Sequence, residues 1–224
     1  MNLLVISDLA ATGFGRVGRE LATRLLAMGW DVKIIGINWR GVDGELSAVI
    51  GRGTIDEQAG RIAAELARMR VDPLIDRVMP ANIAGDGMGH NLTAPALEGK
   101  LWVGWTPDAA IIVADPRAMW LRLVADDGAI GRAPLPILND VPIEGAGLPG
   151  DWRLIWDHVT PVAMSDFGQA QLEALTGKPV ALAPHGVSDA FRPLTPADPG
   201  SFRGKVVTSK DGAKEALGLR GRTV

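Results

Sequence analysis

The chain opens on an unbroken apolar run, Leu3-Leu4-Val5-Ile6, which passes through Ser7-Asp8 into Leu9-Ala10-Ala11-Thr12-Gly13-Phe14-Gly15-Arg16-Val17-Gly18. A short run rich in branched residues predicts a strand covered on both faces. Beyond the glycines, Val17, Leu21 and Leu25 recur every four residues, the stripe of a helix with one apolar side. Asp31-Val32-Lys33-Ile34-Ile35-Gly36-Ile37 predicts a second strand. Ile55, Ala59, Ile62, Leu66 and Met69, interleaved with Glu57, Arg61, Glu65 and Arg68, predict an amphipathic helix that Asp72-Pro73 stops.

Further along, the pattern predicts strands over 74–79, 101–105 and 109–113, a short strand running into a proline-rich loop within 134–145, and strands over 160–164 and 180–183. Asp115-Pro116 reads as an N-cap with proline at the first helical position, opening a helix to Leu123. Residues 151–158 predict a short helix. Ser165 caps another to Leu175, with Asp166 in its first turn and Gly177 as its stop. Strands alternating with helices predict an α/β fold, a Rossmann-like doubly wound parallel sheet with helices on both faces. From Leu194 the character changes. Thr195-Pro196-Ala197-Asp198-Pro199-Gly200 reads as a linker, and 210–217 as a short helix with no further sheet. The expected division is a domain over 1–193 and a linker over 194–224.

Composition narrows the classes. The chain has 224 residues, 47% hydrophobic and 22% charged, with a net charge of −3 and no basic stripe, which argues against sequence-independent nucleic-acid binding. No apolar run has membrane-spanning length and no signal-peptide pattern opens the chain, so a cytoplasmic address is expected. With no cysteine there are no disulfides or thiolate metal sites, and the three histidines, at 90, 158 and 185, are too scattered to predict a zinc site. Seven tryptophans accompany no tyrosine. Trp39, Trp102, Trp105, Trp120, Trp152 and Trp156 serve either as stacking faces for a sugar or base or as plain packing.

Two stretches carry candidate chemistry. Gly13, Phe14, Gly15 and Arg16 lie where a strand turns into a helix, so backbone N–H groups at the positive end of the dipole face an anion, here a phosphorylated substrate. Gly13, Gly15 and Gly18 also fit the dinucleotide fingerprint. However, Asp8 to Thr12 separate them from the strand, and the second strand ends in Gly36 and Asn38 where an acidic residue should hold the ribose. The alternative is that the glycines only allow a tight turn and close helix–sheet packing. The second stretch, Pro134-Leu135-Pro136-Ile137-Leu138-Asn139-Asp140-Val141-Pro142-Ile143-Glu144-Gly145, puts Asn139, Asp140 and Glu144 near a strand's carboxyl end, where open α/β sheets bind ligands. Solvated loop acids are the alternative. His185 reads either as a ligand contact or as a residue bonded to its own turn.

In order, four pieces resemble the N-terminal half of a GT-B glycosyltransferase of the large retaining, nucleotide-sugar-dependent family (family 4-like). They are Thr12-Gly13-Phe14-Gly15, Pro142-Ile143-Glu144-Gly145, Val162-Ala163-Met164-Ser165-Asp166-Phe167-Gly168, and Pro184-His185-Gly186-Val187 leading to Phe191-Arg192-Pro193. Lys214-Glu215-Ala216-Leu217-Gly218-Leu219 resembles the link before that family's second domain. The resemblance implies a hexosyltransferase that moves a sugar from a nucleotide-sugar to a small-molecule or glycan acceptor with retention, using no cofactor and no metal. Gly13, Phe14, Gly15 and Arg16 would approach the donor phosphates. Glu144 and Asp140 would be catalytic, and Asn139, Ser165 and His185 would line the acceptor cleft. The domain that holds the nucleotide sugar would lie outside this chain, which is then expected to be inactive alone. A NAD-dependent oxidoreductase or epimerase, or a non-catalytic small-ligand-binding α/β module, are the other readings.

Overall fold

The computed structural model describes residues 1–10, 12–39, 67, 72–81, 88–124, 128–186, 200–202, 205–207 and 215. The chain divides into two units, Met1–His185 and Gly186–Val224, against a boundary expected after Pro193.

In the first unit the opening apolar run forms β1 (Asn2–Asp8), whose Leu3 to Ile6 are wholly or almost wholly buried. Helix α1 (Gly13–Ala27) follows, then β2 (Asp31–Ile37). A 3-10 turn (Ile75–Arg77) leads into β3 (Val78–Pro80). Then come α2 (His90–Leu97), β4 (Ala109–Val113), α3 (Pro116–Val124) and β5 (Ile137–Val141). A 3-10 helix (Gly150–Asp157), β6 (Thr160–Ala163), α4 (Asp166–Thr176) and β7 (Ala181–Leu182) complete it. All seven strands pair in parallel in the order β3-β2-β1-β4-β5-β6-β7. This is the Rossmann-like doubly wound sheet that the alternation predicts. The chain winds outward from β1 to β3, then returns to place β4 on the other side of β1. Neighbouring strands there leave in opposite senses, which opens a crevice beyond their carboxyl ends.

Two apolar cores sandwich the sheet. Leu3, Val5, Val32 and Ile34 face Ala22 and Leu25 of α1. Leu4, Ile6, Ala110, Ile112, Ile137, Val141 and Ala163 face Leu97 of α2, Met119 of α3, Ile155 and Trp156 of the long 3-10 helix, and Leu172 of α4. The buried Arg122 ties α3 to the start of α2: one guanidinium N–H donates to His90 Nδ1 (3.0 Å) and another to the Met88 carbonyl (2.7 Å).

Several expectations change. α1 begins at Gly13, so the glycines lie in the helix rather than in a loop before it, and its buried face is Gly15, Gly18, Ala22 and Leu25. Residues 101–105 form no strand: Trp102 and Trp105 bridge across a turn whose Gly104 has φ +70°, and their rings meet edge-on at 5.3 Å. The strand expected over 180–183 shrinks to β7, a two-residue edge with both side chains exposed. In the second unit, β8 (Gly200–Phe202) and β9 (Lys205–Val207) form an antiparallel pair where no further sheet was expected. Of the helices predicted over 55–69 and 210–217, only Ala67 and Glu215 are described, and both are helical. Phe191-Arg192-Pro193 lies outside the described residues. Among those residues no helix is long and apolar enough to cross a membrane.

Candidate functional site

The crevice between β1 and β4 is built first by the loop that leaves β1. Asp8 anchors it, its Oδ1 accepting from the Ala10 N–H (2.7 Å) and its Oδ2 from the Asn38 amide (3.2 Å) at the exit of β2. Thr12 then caps α1, its hydroxyl accepting from the Gly15 N–H (3.0 Å). The N–H groups of Gly13 and Phe14 find no acceptor among the described residues. A Cβ on Gly15 would collide with the Ala10 carbonyl oxygen, and one on Gly18 with the Ser7 hydroxyl, whereas Gly13 has nothing within 4 Å of that position. Close packing therefore accounts for Gly15 and Gly18, while Gly13 stands open.

The far wall starts from β4. Asp115 Oδ1 accepts from the Ala118 N–H (2.8 Å), Pro116 opens α3, and Arg117 projects from its first turn, exposed. Asn139 fixes this wall from inside. It is fully buried, and its amide donates to the Ile112 (3.0 Å) and Ala114 (3.1 Å) carbonyls. The expected place of Asn139 in the cleft is corrected: the alternation along β5 turns it into the core, where it rivets β5 to the end of β4.

The third wall is the loop after β5. Ile143 is buried and packs where Gly168 lets α4 approach, and the Gly147 N–H reaches Gln171 Oε1 (3.4 Å). Ile143 is thereby anchored, and Glu144 stays exposed. These walls enclose a cleft of about 520 Å³, lined by Phe14, by Asp115, Pro116 and Arg117, by the loop 142–149, and by Trp152. Neither Arg117 nor Glu144 is paired with another described side chain.

The cleft thus joins three of the residues singled out in the sequence, Phe14, Glu144 and Trp152. Gly13, Gly15, Arg16, Asp140, Ser165 and His185 do not line it. Arg16 is exposed on α1. Ser165 is the N-cap of α4, its hydroxyl accepting from the Gly168 N–H (3.1 Å). Asp140 and His185 meet each other, Oδ2 to Nε2 at 2.9 Å. Burial pushes the Asp140 carboxyl above its ordinary pKa, against the pull of His185. Among the tryptophans, Trp39, Trp105 and Trp156 are buried in packing, and Trp152 reaches the cleft. Arg117 was missed as a site residue because Asp115-Pro116 reads as a cap. Applying the strand-end rule to β4 as well as β5 would have found it. No protein-family model and no curated protein sequence matches the chain.

Proposed function

We propose that this chain is the acceptor-side half of a GT-B-type glycosyltransferase, taking a sugar from a nucleotide-sugar donor. The observation that carries the reading is the cleft at the β1–β4 crevice, where Phe14 and Glu144, from two separate motifs of the resemblance, line one space. Its volume falls within the roughly 300–1,000 Å³ usual for small-molecule sites. As the donor's sugar–phosphate bond breaks, negative charge gathers on the leaving phosphate. The first turn of α1, with the Phe14 N–H group, and the Arg117 guanidinium on α3 supply positive charge for it. Glu144 accepts hydrogen bonds from sugar hydroxyls, and Phe14 and Trp152 offer apolar faces to a ring.

The same strand order serves dinucleotide enzymes. At the end of β2, however, stands Asn38, its amide spent on Asp8, where the dinucleotide fingerprint places a carboxylate for the ribose, which favours transfer over hydride chemistry. The test joins the chain to a candidate donor-binding domain and supplies panels of nucleotide sugars and acceptors. Release of nucleoside diphosphate is expected. Release from no donor, with or without acceptor, overturns the proposal, and tight binding of NAD instead would favour the oxidoreductase.

A further inference from the structure

We infer that Asp140 and His185 form a proton-accepting pair at the carboxyl edge of the sheet. The carboxylate holds the imidazole proton on Nε2, and Nδ1 is left to take a proton from a substrate hydroxyl. Asp140 comes from β5 and His185 follows β7, so the pair spans the end of the intervening β6. The contact is a direct one, 2.9 Å between Oδ2 and Nε2. The other carboxylate oxygen, Oδ1, is buried without a partner among the described residues, so the imidazole is the only directed contact this carboxyl group makes there.

An ionised carboxylate only accepts hydrogen bonds, so Nε2 is the donor. In the neutral ring, Nδ1 then carries the lone pair. The Asp140 side chain keeps 14% of its surface in solvent and the imidazole 31%, so the ring is the more accessible of the two. When a hydroxyl docks, its O–H bond breaks, the proton passes to Nδ1 and the electron pair stays on oxygen. The imidazolium so formed faces a desolvated carboxylate, where its charge is worth more than in water. The pair stands outside the lining of the cleft described above and does not rest on the transferase reading.

The experiment uses the whole chain with 15N-labelled histidine, and His185→Gln assigns the signals. At a pH where the ring is neutral, His185 is expected with Nε2 protonated and Nδ1 bare. In Asp140→Asn the amide donates to Nε2, and the proton moves to Nδ1. A wild-type ring protonated on Nδ1, or a tautomer indifferent to Asp140→Asn, overturns the inference. Diethylpyrocarbonate, which acylates bare imidazole nitrogens, supplies a second readout by mass spectrometry. Modification at His185 is expected to slow by about tenfold or more in Asp140→Asn, since Nδ1, the nitrogen not bonded to residue 140, loses its lone pair. Equal rates overturn it. Neither readout uses a sugar donor, so a failed transfer assay would refute the transferase reading and leave the pair to be judged on these results.

Discussion

Three glycines that look alike in the sequence behave differently at the start of α1. Gly15 and Gly18 give up their side chains so that the helix can lie against Ala10 and Ser7, while Gly13 borders open space. Gly15→Ala should therefore destabilise the protein by about 1–3 kcal/mol, the usual cost of forcing atoms into filled space. Gly13→Ala should be neutral or stabilising by up to about 1 kcal/mol, through the smaller entropy of its unfolded chain. Urea denaturation of both variants checks this, and equal losses would contradict the packing asymmetry. Asp140 permits a pH prediction. Its folded pKa is raised, chiefly by burial, so the folded state holds its proton more tightly than the unfolded chain does. Its contribution to stability is complete below the ordinary carboxylate range and is lost as pH rises through the raised value. Asp140→Asn, neutral throughout, should gain stability relative to wild type over that window, as read by paired urea titrations at stepped pH. A difference that stays flat or falls with pH would contradict it.

At the scale of elements, the legible features are those whose chemistry is local. Asp115-Pro116, Ser165 and Gly177 mark their helix ends in the sequence because each satisfies orphan backbone groups within a turn of itself. Ser165→Ala should cost about 0.5–2 kcal/mol, the range for a lost N-cap. Thermal melts of that variant, expected to show a lowered midpoint, check it, and an unchanged midpoint would show that solvent replaces the hydroxyl at no cost. The run 101–105 misleads for the opposite reason. Apolar residues at its two tryptophans suggest a strand, yet Val103 at the tip is fully exposed and Gly104 takes a left-handed conformation, so a turn forms with the tryptophan rings packed on each other. The glycine spacing likewise said that close approaches exist near residue 15, but not whether backbone or ligand makes them. That distinction depends on Ala10, whose N–H is held by Asp8 and whose carbonyl oxygen lies against Gly15.

The site itself is a property of the whole sheet. Phe14, Arg117, Glu144 and Trp152 converge because the chain reverses its winding at β1 and β4, and no sequence spacing records that reversal. The same winding leaves an asymmetry in the layers. Helices α2 to α4 cover one face of β4 to β6, while α1 packs over β1 and β2 on the other face. Along β5, Ile137, Asn139 and Val141 point into the covered face and are buried. Leu138, on the opposite face, keeps 38% of its surface in solvent. A central strand of a parallel sheet is ordinarily buried on both sides, so this alternation is unusual for its position. It makes two adjacent apolar residues unequal. Ile137→Ala should cost about 2–5 kcal/mol, because it removes methylenes from a filled interior. Leu138→Ala should cost under about 1 kcal/mol, since much of what it removes already faces water. Chemical denaturation of the two variants compares them directly. Comparable losses would mean that something covers the outer face of β5 in solution, and the contrast between the two faces would have to be abandoned.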